Sequence, residues 1–181
     1  KKEKKEKKEK KVEAPKDEQS DVSKLDIRVG KIVQVEKHPE ADRLYVEQID
    51  VGEGSNRTIL SGLVEHIPIE EMKDRRVVVL CNLPPRPMAG IKSFGMVLAA
   101  STDSKLNLVT PPEDAPIGQR ITFEGYPGEP EKELKPKKKV FEKVSPDFHT
   151  NDEGVALYKD VPFMTPQGKC IAPGIAGGNI K

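Results

Sequence analysis

The chain has 181 residues, enough for one domain or two small ones, with 34% charged residues against 4% aromatic. Its core must therefore be mostly Val, Ile and Leu, and the lack of Trp with only three Tyr argues against a large base-stacking platform. The formal net charge of +1 means that any affinity for a polyanion has to come from local clustering of charge.

Lys1 to Lys11 reads KKEKKEKKEKK, and residues 1–20 carry nine Lys against five Glu and one Asp. Nothing in this repeat can be buried. It reads as a solvated linker, and equally as a basic arm adding counterion-release affinity for a polyanion. Residues 1–21 are therefore set apart, with order expected from Val22. The start at Lys1 rather than Met is what a fragment or processed form would show.

Ile27 to Glu36 alternates apolar and polar residues and predicts a long strand, with Gly30 marking a bulge or sharp bend. A polar loop from Lys37 to Arg43 follows, then a second alternating strand from Leu44 to Val51. Gly52 to Asn56 is a turn, and Arg57 to Ser61 a third strand. Pro68 to Met72 predicts a short helix with Pro at its first position. Val77 to Cys81 and Met96 to Ala100 are two further apolar, strand-like runs, and with their flanks they place strands at Arg76–Cys81 and Ser93–Ala100. Short strands with one helix between the third and fourth predict an all-β chain. Its architecture would be a five-stranded OB-fold barrel over residues 22–125. Residues 126–181 hold only short apolar pieces, too few for a core of their own. They are expected to form a small, mostly β subdomain packed on the barrel.

Between the fourth and fifth strands lies Asn82-Leu83-Pro84-Pro85-Arg86-Pro87-Met88-Ala89-Gly90-Ile91-Lys92-Ser93-Phe94-Gly95-Met96. Its three prolines exclude a helix and predict a rigid loop. Asn82, Arg86, Lys92 and Ser93 would present amide, guanidinium, ammonium and hydroxyl donors with no catalytic base among them, which suits phosphate and base oxygens. Lys31 and Arg43 are further candidate cations. The Lys135–Lys139 cluster reads as either linker or RNA contact.

Other functions find no support. Cys81, Cys170, His38, His66 and His149 lack metal-ligand spacing. The two cysteines could pair, but free thiols are the default, and Cys81 in an apolar run reads as an inert buried thiol. No nucleotide-binding glycine loop, nucleophilic triad or class I synthetase signature appears. No apolar run has the length of a membrane span.

From about Val22 onward the chain resembles the tRNA-binding domain of the endothelial monocyte-activating polypeptide II type. The resemblance is carried by DIRVGKIVQVEKHPEADRLYVEQIDVG, RTILSGLVEHIP, RRVVVLCNLPPRPMAGIKSFGMVLAAS, PPEDAPIGQRITFEGYPGEP and KELKPKKKVFEKVSPDFHTNDEGVALYK, in that order. It implies an OB-fold with a C-terminal subdomain that imitates the dimer interface of simpler relatives, so that the long form is a monomer. It further implies a non-catalytic, cytoplasmic module without cofactor or metal. Such a module binds tRNA by shape and backbone for an aminoacyl-tRNA synthetase, as a C-terminal appendage of a methionyl- or tyrosyl-tRNA synthetase or as a free cofactor. Arg43 follows the family's His-Pro-x-Ala-Asp. Asn82, Arg86, Ser93 and Met96 fall in the pattern N-L-x-P-x-[KR]-M-x-G-x-x-S-x-G-M. Here Pro87 stands where the family has its basic residue, and Arg86 lies one position earlier. The tRNA-binding set is thus Lys31, Arg43, Asn82, Arg86, Lys92, Ser93 and Met96. The alternative is a proteolytically released, cytokine-like signalling polypeptide; a segment like Arg28–Val33 is linked to that activity in some members, but here it reads as strand-forming and Gln34 ends it less typically, so the activity is not carried over.

Overall fold

The computed structural model describes residues 19–180; the Lys/Glu repeat lies outside them. Five antiparallel strands form a nearly closed barrel: β1 (Ile27–Lys37), β2 (Tyr45–Asp50), β3 (Asn56–Ser61), β4 (Arg76–Leu80) and β7 (Met96–Val97), in the order β3-β2-β1-β4-β7. The long β1 serves two neighbours. Its first half pairs with β4 from Ile27↔Leu80 to Lys31↔Arg76, and its second half with β2 from Lys31↔Asp50 to Lys37↔Tyr45.

The register break lies between Ile32 and Gln34, not at Gly30 as the sequence predicts, and it turns Val33 out to solvent. Gly30 has a different reason: a Cβ there would meet Ile49, Val51 and Val79 side chains at 3.0–3.2 Å, inside the barrel. Helix α1 (Ile69–Met72) follows β3, with Pro68 just before it as an extended cap rather than within its first turn, and Met72 is buried against the barrel interior.

Two differences from the predicted elements matter. The proline-rich stretch is a β-hairpin, β5 (Arg86–Met88) with β6 (Ile91–Ser93), in the register Arg86↔Ser93, Pro87↔Lys92, Met88↔Ile91. Its two turn residues, Ala89 and Gly90, have φ of 52° and 90°, the positive values that a two-residue hairpin turn requires. Pro87 is tolerated because this strand has one partner only and its other edge is open. The predicted strand Ser93–Ala100 is divided among three elements. After β6 the chain gives β7 to the barrel, and beyond Leu98 it gives β8 (Ala99–Ser101) to another sheet.

That second sheet has the order β9-β8-β15-β10-β11-β12, comprising β9 (Leu106–Leu108), β10 (Phe148–Thr150), β11 (Ala156–Tyr158), β12 (Val161–Pro162) and β15 (Asn179–Ile180). A small hairpin, β13 (Met164–Thr165) with β14 (Gly168–Lys169), and a short helix α2 (Val140–Val144) complete the C-terminal part. Strands from both sides of residue 125 share this sheet. One core joins Ile27, Val29, Val78 and Leu80 of the barrel strands to Phe148, Tyr158, Phe163 and Ile180. The other fills the barrel with Ile32, Ile49, Val51, Ile59 and Val77.

Candidate nucleic-acid interface

One end of the barrel gathers most of the predicted residues. The Leu60 N–H donates to Ser93 Oγ at 2.9 Å, and the Phe94 N–H donates to the Thr58 carbonyl at 2.8 Å. These two bonds lay the β5–β6 hairpin along β3. Because Tyr45 pairs with Ser61, the loop before Tyr45, which carries Arg43, lies at the same end of β3. A groove of about 700 Å³ runs beside the hairpin. Arg86, Met88 and Met96 line it from the hairpin side of the sequence, and Lys135, Lys139, Phe141 and the carboxylate Glu142 from the C-terminal part; the buried Ser93 also borders it.

The residues divide by direction. Arg86 and Lys92 are exposed on the hairpin. Arg43 is exposed too, 81% of its side chain, and pairs with Glu65, itself 58% exposed, at 3.1 Å. Water screens such a pair strongly, so it costs little to exchange for a phosphate. Met96 is half-buried and packs on the core from the groove wall. Lys31 stands apart, paired in register with Asp50 and Arg76 at the far end of β2.

Asn82 and Ser93 are not the free donors that the sequence predicts. Asn82 is 3% exposed. Its Oδ1 accepts from the Asp26 N–H at 3.1 Å, and its Nδ2 donates to the carbonyls of Lys24 (2.9 Å) and Glu131 (2.8 Å). Its own carbonyl accepts from the Leu134 N–H at 2.7 Å. Ser93 is 4% exposed; its Oγ donates to the Gly95 carbonyl at 3.0 Å while accepting from Leu60. Both side chains are spent on holding backbone, since the segments they join have no continuous ladder of their own at those points.

Arg57 does related work that sequence reasoning missed. It forms a two-pronged pair with Glu53, 2.7 Å at each prong, and its Nη1 donates to the carbonyls of Cys81 (2.6 Å) and Phe94 (2.8 Å). The pair lowers the Glu53 pKa and raises that of Arg57. Spacing gave a signal, since Glu53 and Arg57 are four apart across a glycine turn. Glu47 was also missed. It shares strand parity with the inward Tyr45 and Ile49, is fully buried, and bonds to the Ser61 hydroxyl. Burial pushes its carboxyl up to about 8, opposed in part by the Ser61 bond. Cys81 and Cys170 are both free and buried, and burial pushes each thiol up to about 12, which makes them poor nucleophiles.

The five antiparallel strands, with one short helix and exposed cations at one end, define an OB-fold barrel. The family described as "Putative tRNA binding domain" matches residues 27–120, and the chain belongs to it. Two relatives show where such domains occur. A probable methionine–tRNA ligase of Oryza sativa subsp. japonica is 59% identical over 162 residues, 88% of this chain and 20% of that protein. The aminoacyl tRNA synthase complex-interacting multifunctional protein 1 of Cricetulus griseus is 53% identical over 162 residues, 89% of this chain and 45% of that protein. The chain thus spans less than half the length of either. Among solved structures, the C-terminal domain of Plasmodium vivax p43 superposes with a TM-score of 0.84 at 35% identity, covering 88% of this chain and 98% of that one. These likenesses favour tRNA binding over the cytokine alternative. Val29 and Ile32, within the segment tied to signalling, are wholly buried barrel residues. Among the described residues no helix is long and apolar enough to cross a membrane.

Proposed function

We propose that this module captures tRNA for an aminoacyl-tRNA synthetase, joined to it in one polypeptide or bound to it as a separate cofactor, in the cytoplasm and as a monomer. The observation that carries this reading is the clustering of exposed cations at one rigid end of a chain whose net charge is only +1. Arg43, Arg86 and Lys92 stand there, with Lys135 and Lys139 across the groove. They bind phosphates, while Ser93 keeps the hairpin on β3, Asn82 ties the chain just after β4 to Lys24, Asp26 and residues 131–134, and Met96 shapes the groove wall. A-form RNA hides its sequence in a deep groove, so contacts of this kind read shape and backbone and accept many tRNA species. Capture raises the local tRNA concentration at the catalytic domain, so even modest affinity is useful. The C-terminal subdomain takes the place of a second barrel against the apolar side formed by Ile27, Val29, Val78 and Leu80.

Competition gel shifts at fixed salt test the reading: folded tRNA should displace the bound probe at lower concentration than a structureless RNA of equal length. Equal competition removes shape recognition. Deleting residues 1–20 should flatten the slope of log affinity against log salt if the Lys/Glu repeat adds counterion release. An unchanged slope makes that segment a linker only.

A further inference from the structure

Phe94 is 41% exposed, in a chain with only five Phe and no Trp. Its position is tightly controlled. Its N–H donates to the Thr58 carbonyl and its own carbonyl accepts from the Arg57 guanidinium at 2.8 Å, which in turn is locked to Glu53. Ser93 before it points inward and Lys92 before that points out, so ring and ammonium share the solvent side, two residues apart. The ring borders a hollow of about 390 Å³ whose other walls include Asn56, Arg57, Thr58, Pro85, Lys132 and one carboxylate, Glu133. A large apolar side chain in water, beside cations and on a backbone fixed at both its N–H and its carbonyl, loses little backbone entropy on binding a flat partner. With Lys92 on one side and Lys132 in the hollow, the partner that complements this patch is a flat base carrying phosphates on either side.

We propose that Phe94 is a stacking platform for one unpaired base of the bound RNA, with Lys92 and Lys132 taking the neighbouring phosphates. This rests on the tRNA-binding reading and adds to it a contact that helical backbone recognition does not need. An aromatic side chain stacks on any base, so the site selects for an unpaired nucleotide at a fixed place in the folded RNA, not for its identity.

The absence of Trp makes the test direct. Phe94→Trp introduces the sole indole of this 181-residue chain; it should bind tRNA within about twofold of the parent, and the RNA should quench its fluorescence. Phe94→Ala and Phe94→Leu should weaken tRNA binding about 5- to 150-fold, the range for losing one stacked base. The slope of log affinity against log salt should not change, because no cation is removed. Binding of a blunt, fully paired RNA duplex should be the same for parent and Phe94→Ala. If Phe94→Ala binds tRNA like the parent, if it loses the duplex equally, or if the indole is not quenched, the stacking site is wrong while tRNA capture stands. If the parent itself fails to bind tRNA, both readings fall.

Discussion

The two cores of this molecule are built from different materials. The barrel interior is aliphatic, with Tyr45 its one aromatic residue, and long hydrogen-bonded ladders surround it. The core between barrel and C-terminal part centres on rings: Phe123 lies 4.8 Å from Phe163 and 6.1 Å from Phe148, and Phe148 lies 4.9 Å from Phe163. Strands β10 to β12 and β15 have two or three residues each, too few for ladders to define a position. A few large side chains bury enough area to do so. Where backbone pairing is extensive, small aliphatic residues suffice; where it is sparse, the rings locate the chain.

The most severe way to break that contrast is to cut after Glu124. This removes every ring of the second core except Phe123 and uncovers Ile27, Val29, Val78, Leu80 and Leu98. The fragment should dimerise or aggregate in light scattering; a soluble, stable monomer would mean the C-terminal part is an independent unit. Next in size, Phe148→Ala should cost about 3–5 kcal/mol in denaturant unfolding, against about 0.5–1.5 kcal/mol for Ile49→Val in the barrel. Similar small losses would show that the rings are interchangeable filling. Asn82→Ala and Ser93→Ala come third. Each leaves a buried N–H without its acceptor, that of Asp26 or Leu60, and should cost about 1–3 kcal/mol. Any loss of tRNA affinity should then disappear under conditions that restore full folding, as expected of residues whose side chains hold backbone.

Glu47 gives a smaller, pH-dependent effect. Its folded pKa of about 8 lies above the ordinary carboxylate value of 4.5, so the native state keeps a proton that the unfolded chain releases. Stability should be fullest below pH 4.5, fall as pH rises towards 8, and level off above it. Glu47→Gln, neutral throughout, should match the parent near pH 4.5 and melt higher than it at pH 8, by about 2–4 °C for each kcal/mol recovered. An equal offset at both pH values would mean the carboxyl is ionised in place. The smallest structural effect belongs to Arg86→Ala. Stability should change by no more than about 0.5 kcal/mol, while the salt slope of tRNA binding drops by about one unit.

Much of the barrel was legible because its strands alternate over six residues or more, as in Ile27–Lys37 and Tyr45–Asp50. The hairpin was not. Three prolines conceal a strand, and Ala89-Gly90 lacks the usual Asn-Gly or Asp-Gly turn signal. The separate fates of Met96–Val97 and Ala99–Ser101 were also hidden, since one apolar run carries no mark of where it changes sheet. At the interface, charge was legible and direction was not. Arg43, Arg86 and Lys92 are exposed as their chemistry suggests, but a polar residue in a proline-rich stretch can serve RNA or its own backbone. Asn82 and Ser93 serve the backbone.

Strand β15 sits at the middle of its sheet, between β8 and β10, and Ile180 pairs with Ala100, 80 residues away in the chain. On a ribosome adding about 5–20 residues per second, about 4–16 s pass between the synthesis of the two partners. During that interval the barrel strands exist while one of their apolar sides still lacks its cover. Nascent chains of this module therefore pass through a window for premature association with one another, which closes only once residue 180 is available to pair.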